Sequence, residues 1–326
     1  MDVLHLNEWS ATVAEDLMAN AEVLGCTIED IGGAQVVDAG VRARGSLEAG
    51  QLVALACLAD LGDVECSLDR LEGRLVPKVT VSLTDPTAAC LLSQYAGWKV
   101  AGEGYFAMGS GPMRALRGKE EIFEHLGYHE EPDNVAVGIL EAATLPTEAI
   151  IKQIAKEAGI HPDSLILLVA RTASLAGSYQ VVARSVESCL HKLHTLKFDV
   201  TTIRSGIGSA FLPPIPTDDL TAIGRTNDSI LYGGEVILWV DTTDEAIEVV
   251  GPKLPSSASA DFGTSFLDIF HRYGGDFYKI DPMLFSPAMV TINNLATGSV
   301  FEFGRTEPTL LIRSFFSPVV RKDSST

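Results

Sequence analysis

Apolar positions along the chain follow two periodicities, one typical of β-strands and one typical of amphipathic helices. Short apolar runs rich in β-branched residues predict strands. Segments in which apolar residues recur every three to four positions predict helices between them. The predicted strands are residues 34–41, 78–83, 98–101, 134–140, 164–170, 198–203 and 229–240. The predicted helices are residues 46–61, 87–96, 147–158, 174–194, 243–250 and 262–273.

This alternation predicts an α/β fold of mixed α+β character. Two segments match element by element, VTVSLTDPTAACLLSQYAGWKV and LILLVARTASLAGSYQVVARSVESCLHKLHTLKFDV, since each runs strand, threonine-containing turn, helix, strand. One interpretation is an ancient duplication that gives two side-by-side α/β domains with a cleft between them. The other is that any two βαβ units look alike at this level. The domains are placed at 1–130 and 131–326, and the chain is free to cross between them more than once.

Composition and the absence of targeting signals indicate which partners and which cellular location to expect. Lys and Arg number 24 against 43 Asp and Glu, a net charge of −19, and such an acidic field repels the phosphates of nucleic acids. The sequence contains no uncharged apolar run long enough to predict a membrane span. The first residues lack the basic and apolar regions of a signal peptide, so we expect a cytoplasmic protein. Residues 321–326 are polar and are expected to fray.

The longest predicted helix, residues 174–194, has two different faces. One is an apolar stripe formed by Val182, Val186, Cys189, Leu190 and Leu193. The other carries Gln180, Arg184, Glu187 and His191 at helical spacing. On spacing alone, this second face is an ordinary solvated one with a weak Arg–Glu pair. Its neighbours are short, however, and leave room for a ligand, in which case Glu187 beside Arg184 is a candidate base near neutral pH.

Other sequence signals for chemistry are weaker. His191 and His194 lie on adjacent helical turns, but no third metal ligand is evident, and no metal is expected. The glycine-containing segments 109–112 and 206–209 could hold a phosphate with backbone N–H groups, although tight turns are the alternative. Neither segment is a Walker A sequence or a dinucleotide-binding GxGxxG.

Several longer segments resemble the methenyltetrahydromethanopterin cyclohydrolases and occur in that family's order. They are ARTASLAGSYQVVARSVESCLHKL at 170–193, SQYAGW at 93–98, GYFAMGSGPMRAL at 104–116, GRTNDSILYGGEV at 224–236 and DPMLFSPAMVTINNLATGSVFEFG at 281–304. The resemblance implies two α/β domains with a pterin bound between them, in a homotrimer without metal or redox cofactor. It also implies reversible hydrolysis of 5,10-methenyltetrahydromethanopterin to 5-formyltetrahydromethanopterin in one-carbon metabolism.

The resemblance also implies residue roles. The family's catalytic arginine and glutamate correspond to Arg184 and Glu187, and a segment facing the reacting carbon corresponds to Gln94, Tyr95 and Ala96. Glu187 would be the general base that takes a proton from water, and Arg184 would keep it ionised and help to place the water. The reacting carbon is amidinium-like and already primed for attack, so the reaction needs no Lewis acid or covalent nucleophile.

Two further segments are candidate walls of the pterin pocket, a loop at 109–112 and a turn at 225–228. Their candidate binding residues are Gly109, Ser110, Gly111, Arg225, Asn227 and Asp228. The alternative is that these segments only shape the cleft. Other candidate functions are a non-catalytic pterin-binding relative and a formyl-transferring or dehydrogenase-like pterin protein. Retention of both Arg184 and Glu187 argues against simple binding, and the missing dinucleotide fingerprint argues against a dehydrogenase.

Overall fold

The computed structural model describes residues 4–102, 104–131 and 134–316, and its strands form two six-stranded sheets. The strands are β1 (Thr27–Ile31), β2 (Ala34–Asp38), β3 (Gly62–Leu71), β4 (Arg74–Leu83), β5 (Trp98–Gly102), β6 (Tyr105–Ser110), β7 (Ala136–Glu141), β8 (Leu165–Ala170), β9 (Ile203–Phe211), β10 (Glu235–Val240), β11 (Met289–Asn294) and β12 (Val300–Gly304). The predicted frayed end, residues 321–326, lies outside the described residues.

Helices connect and cover the two sheets. They are α1 (Leu6–Ala19), α2 (Ala21–Leu24), α3 (Leu47–Cys57), a π-helix (Thr87–Gln94), α4 (Met113–Arg117), α5 (Glu121–Leu126), α6 (Glu148–Ala158), α7 (Leu175–Val182), α8 (Ser185–Thr195), α9 (Asp219–Gly233), α10 (Asp244–Val250), α11 (Phe266–Arg272) and α12 (Pro308–Phe316). The mixed α/β fold with two side-by-side α/β units is confirmed.

The first sheet has the order β1-β2-β8-β7-β6-β5 and is covered on both faces. Its three central strands β2, β8 and β7 are parallel. Alternate side chains of β8 pack on opposite faces: Leu167 lies in the core with α4 and α6, and Leu168 lies in the core with α1 and α3. Every residue of β8 is buried, as the continuous apolar run at 164–170 predicts.

The second sheet has the order β12-β11-β10-β9-β4-β3 and is buried mainly on one face. Val236 and Leu238 of β10 point into the core that also contains residues of α8 and the π-helix, whereas Ile237 between them is exposed. This alternation is typical of a sheet with one face covered and one open.

The chain passes between the sheets more than once. It leaves the first sheet through α3, returns from the second through the π-helix, and leaves again through α7 and α8. The two matching segments are therefore both connections between sheets, traversed in opposite directions. Each sheet takes strands from both sides of residue 130, so the division into 1–130 and 131–326 coincides with neither sheet and stays a prediction about domains. The duplication stays a hypothesis.

Several local predictions are wrong, and three of them concern strands and turns of the second sheet. Residues 229–233 are the end of α9 rather than the start of a strand, because Ser229 donates a hydrogen bond to the Phe211 carbonyl and Ile230 packs in the core on the helix. Residues 200–202 form a 3₁₀ turn, and the strand begins only at Ile203. The glycine segment 206–209 lies inside β9, where a Cβ on Gly208 would come within 2.7 Å of Ser185 Oγ. These glycines let α8 approach the sheet closely.

Candidate active site

The predicted helix at 174–194 is two helices, and Arg184 lies at the break between them. The Gln94 side-chain amide donates to the Ala183 carbonyl at 3.3 Å, and the Arg184 N–H bonds to the carbonyl of Val181, three residues back. A side chain that competes for a helix carbonyl in this way ends or bends the helix. The break turns the Arg184 side chain toward the π-helix and away from solvent.

The Arg184 guanidinium is held by groups from several elements. Nη1 donates to the Gln94 carbonyl at 2.6 Å and Nη2 to Ser110 Oγ at 2.9 Å. Gln180 Oε1 accepts from Nε at 3.2 Å and from Nη2 at 3.0 Å, and Cys57 Sγ lies 3.5 Å from Nη2. Cys57 ends α3, Gln94 ends the π-helix and Arg184 follows α7. All three connections between the sheets therefore meet at this guanidinium.

Glu187 lies in the first turn of α8, with only 7% of its surface exposed. Its Oε2 is 4.0 Å from Arg184 Nη1, which is ion-pair distance but longer than a hydrogen bond. Burial raises the pKa of Glu187 to about 7, against the opposing charges of Arg184 and Arg114. A carboxyl group that titrates near neutral pH is able both to take and to return a proton.

Tyr95 and His191 form the more open side of this cluster. Their rings stack with centroids 4.4 Å apart and planes 15° apart. Burial, followed by the charges of His194, Arg114 and Lys192, lowers the pKa of His191 to about 4, so its imidazole is neutral at pH 7. Tyr95 and Ala96 are half-buried whereas Gln94 is fully buried, so this segment runs from the interior to the surface.

The loop predicted at 109–112 meets the cluster. Ser110 ends β6 and contacts Arg184, and the N–H of Gly111 donates to the Ser93 carbonyl at 3.0 Å. Gly111 has φ +86°, and a Cβ there would lie 2.7 Å from Ile139 Cδ1. Gly109 has the Trp98 carbonyl 3.0 Å from its own Cβ position. These glycines allow the end of β6 to pack closely against β5 and β7.

The interpretation of the polar helix face as a solvated stripe is wrong, because Gln180, Arg184 and Glu187 are all buried. The opposite apolar stripe is confirmed, since all five of its residues lie in one core cluster. Across residues 4–102, 104–131 and 134–316, no group of three or more His, Cys, Asp or Glu side chains could hold a metal ion.

The comparisons with known proteins agree on one family. A family model described as cyclohydrolase (MCH) matches residues 5–315. A methenyltetrahydromethanopterin cyclohydrolase of Rhodopirellula baltica is 49% identical over 289 residues, which cover 87% of each chain. Another, of Methylobacterium organophilum, is 45% identical over 315 residues, 95% of this chain and 97% of the relative.

The chain belongs to the methenyltetrahydromethanopterin cyclohydrolase family. A relative of the same description from Methanococcoides burtonii is 43% identical over 285 residues, 87% of this chain and 89% of the relative. Membership of this cyclohydrolase family makes the chain an enzyme of the hydrolase class. None of the helices in the described part of the chain has both the length and the apolar composition that a bilayer crossing requires.

The segment 225–228 is not the predicted turn but part of helix α9. Arg225 donates to the carbonyls of Ser314 and Pro214, and Asn227 donates to that of Ile223. Asp228 accepts from Ser314 Oγ at 2.6 Å and from the Phe266 N–H at 2.7 Å. Within the described residues, none of these three side chains hydrogen-bonds to Arg184 or Glu187. A role for segment 225–228 in binding the pterin therefore stays a prediction.

Sequence reasoning missed two charged residues of the cluster, Arg114 and Glu120. Arg114 is completely buried and pairs with Glu120, and its charge is one of those that lower the pKa of Glu187. One signal was present: a single arginine interrupts the otherwise apolar run Met113–Leu116. Buried arginines are rare unless paired, but the partner of this one cannot be read from spacing.

Proposed function

We propose that this chain interconverts 5,10-methenyltetrahydromethanopterin plus water with 5-formyltetrahydromethanopterin in one-carbon metabolism, with Glu187 as general base. One observation carries the assignment of the base: a buried carboxyl group with a pKa of about 7 lies beside a fixed guanidinium in a member of the cyclohydrolase family. The best general base has a pKa close to the working pH, and such a base contributes roughly 10²–10⁴-fold to the rate.

The proposed reaction begins when Glu187 takes a proton from water while the water oxygen bonds to the methenyl carbon. The carbon then carries a hydroxyl group between two nitrogens. As the hydroxyl loses its proton to solvent and becomes the formyl carbonyl, the bond from carbon to the second nitrogen breaks. Protonated Glu187 returns its proton to that nitrogen. One proton of the water thus reaches the nitrogen and the other reaches solvent, and the cationic substrate becomes a neutral amide.

Arg184 has two proposed roles. Its charge opposes the effect of burial and keeps part of the Glu187 population ionised at neutral pH. Its Nη1 is also the nitrogen closest to Glu187, and within the described residues only one N–H of Nη1 is used, by the Gln94 carbonyl. The second N–H is available to hold the attacking water or the oxygen that forms as the ring opens.

The segments that contact Arg184 also suggest which residues form the walls of the pterin pocket. We propose that the half-buried segment Tyr95–Ala96, with Gln94 behind it, faces the reacting carbon, and that Gly109, Ser110 and Gly111 form the floor beside it. Arg225, Asn227 and Asp228 stay candidates for contact with a more distant part of the pterin. The contacts of Gln94 and Ser110 with Arg184 support the roles proposed for segments 94–96 and 109–111.

We also propose that the enzyme is a cytoplasmic homotrimer that uses no metal or redox cofactor. Chelators should then leave turnover unchanged, and strong inhibition by a chelator would argue for a metal. Light scattering on the purified protein should give three times the chain mass of 34.8 kDa. A monomer or dimer mass would contradict the trimer.

The function is tested by mixing purified protein with the methenyl substrate and following the loss of its near-ultraviolet absorbance. We expect a rate far above that in buffer alone. For Glu187→Gln we expect turnover to fall by roughly 10²–10⁴-fold, because the base is lost while the shape of the side chain is kept. A variant that turns over like the wild type would exclude Glu187 as the base. If the wild type binds the pterin without turnover, the chain is the non-catalytic relative.

A further inference from the structure

Arg114 lies against the carboxyl end of the π-helix and is completely buried. Its Nε lies 3.1 Å from each carboxylate oxygen of Glu120, and its Nη2 also contacts that carboxylate. Nη1 donates to the Ser93 carbonyl at 2.8 Å, and Nη2 approaches the Leu91 carbonyl at 3.4 Å. A fork of donors that joins one carboxylate and two carbonyls fixes all of them in relative position.

Two guanidinium groups therefore hold the carboxyl end of the π-helix. Arg114 binds the carbonyls of Leu91 and Ser93, and Arg184 binds the next one, that of Gln94. Arg114 Cζ also lies 5.1 Å from the centroid of the Tyr95 ring. The last carbonyls of a helix carry partial negative charge and have no partners within the helix, so cations are favoured here.

We propose that Arg114 is a positioning residue of this active site: it fixes the segment that carries Gln94 and Tyr95, and together with Glu120 it sets the electric field at Glu187. This inference rests on the proposed function, in which Glu187 is the base. Arg114 itself touches neither Glu187 nor the reacting atoms by any contact within the described residues. It acts through the π-helix carbonyls and through its charge.

The electrostatic part can be separated because few groups around Glu187 are charged at neutral pH. The groups that face it or its neighbours on packed elements are Arg184, His191, Cys189, Cys90, Tyr95, Cys57, Lys192, Arg114 and Glu120. Burial raises the pKa values of Cys90 and Cys189 far above neutrality and lowers that of His191, so these three are neutral. Lys192 stays largely charged, since burial lowers its pKa only to about 8, and its Nζ is directed to the Met283 carbonyl.

The charges that act on Glu187 are those of Arg184 and Arg114, and Arg114 is paired with Glu120, so two variants make opposite predictions. In Arg114→Gln a positive charge is lost, so the acidic limb of the kcat/KM profile should move to higher pH by about half a unit or more. In Glu120→Gln the positive charge of Arg114 is left uncompensated, so the limb should move to lower pH. A residue that only supported the fold would lower kcat/KM in both variants without opposite shifts.

Two further variants separate charge from geometry. Arg114→Lys keeps the charge but loses the fork, so the limb should stay near its wild-type pH while kcat falls at least tenfold. Arg117→Gln is the matched control, because Arg117 lies in the same helix α4, pairs with Glu157 at 2.9 Å and lies over Trp98. Within the described residues it makes no hydrogen bond or ion pair with the π-helix. It should leave both limb and kcat unchanged. If Arg114→Gln does not fold, Glu120→Gln and Arg114→Lys still test the inference.

The outcomes distinguish this inference from the proposed function. If the wild type does not turn over the methenyl substrate, or if Glu187→Gln turns it over normally, the proposed function fails. If the wild type is active and Glu187→Gln is not, but Arg114→Gln and Glu120→Gln keep the wild-type limb or shift it in the same direction, the role of Arg114 fails alone. Opposite shifts, with Arg117→Gln unchanged, support the role of Arg114.

Discussion

At the scale of single residues, Glu187 is governed by two opposing influences. Burial favours its neutral form, and the guanidinium groups of Arg184 and Arg114 favour its ionised form. Burial is the larger effect, so the pKa of Glu187 is raised to about 7. In an exposed Arg–Glu pair the pKa of the glutamate would instead be lowered. The candidate base is therefore only partly ionised at neutral pH.

This balance predicts the pH dependence of hydrolysis. The ionised form of Glu187 is the one that accepts a proton from water, so kcat/KM should rise with pH and level off above about 7. The profile is measured from initial rates of absorbance loss between pH 5 and 9, with the uncatalysed rate subtracted at each pH. A flat profile across this range would show that another group activates the water.

The same pKa predicts a cost in stability. Because the folded-state pKa of Glu187 is raised above its ordinary 4.5, the folded protein binds the proton more tightly than the unfolded chain. The contribution of Glu187 to stability is therefore fully present below pH 4.5 and is lost as the pH rises through about 7. Glu187→Gln should unfold at higher temperature than the wild type at pH 8, by the equivalent of about 1–3 kcal/mol, and should gain much less at pH 5.

Thermal melts of both proteins at the two pH values provide the measurement. Glu248→Gln is the control, because it removes an exposed carboxylate of α10 and should show no such difference. An equal gain for Glu187→Gln at pH 5 and pH 8 would contradict the raised pKa, since a change in packing alone does not depend on pH.

At the scale of elements, close packing restricts which residues fit at the end of β6. Gly111 combines φ +86° with a Cβ position 2.7 Å from Ile139 Cδ1, and the residue before it holds Arg184. Gly111→Ala should destabilise the protein by about 1–3 kcal/mol and also lower kcat, because Ser110 would be displaced from the guanidinium. Denaturant unfolding and initial rates measure the two effects.

Gly127→Ala is the matched comparison for this prediction. Gly127 also has a positive φ, of 62°, but a Cβ there would meet nothing within 4 Å. It should cost about 1 kcal/mol from backbone strain and leave kcat unchanged. If both variants lose activity to the same extent, the loss at Gly111 does not come from Ser110.

At the scale of the whole molecule, the site depends on all three connections between the sheets. Arg184 contacts groups that are 74, 90 and 127 residues away in the sequence, at Ser110, Gln94 and Cys57. Both sheets contain strands from either side of residue 130. We therefore expect the two sheets and the candidate site to form together.

This arrangement predicts how the chain responds to division at residue 130. Fragments 1–130 and 131–326, expressed separately, should lack cooperative thermal unfolding, because each would leave strand edges and core faces unpaired. Co-expressed fragments should recover it, together with substrate turnover. Cooperative unfolding of either fragment alone would show that the predicted domains fold independently.

Local sequence signals predicted much of the secondary structure and burial. The apolar run at 164–170 identifies a strand buried on both faces, and the helical spacing of Val182, Val186 and Leu190 identifies the apolar side of α7 and α8. The order of long motifs identifies the cyclohydrolase family, which the comparisons show. These features depend on neighbouring residues or on several extended segments, and both can be read directly from the chain.

Arg184 and Glu187 show where the sequence stops being sufficient. Their spacing determined only that they lie three residues apart, opposite an apolar stripe, a pattern typical of a solvated ion pair, and their catalytic roles came from the resemblance to the family. Only the tertiary structure decided that the helix breaks at Arg184, that Gln94 and Ser110 bind its guanidinium, and that burial raises the pKa of Glu187. The physical reason is that desolvation and ion pairing depend on groups brought together from distant parts of the chain.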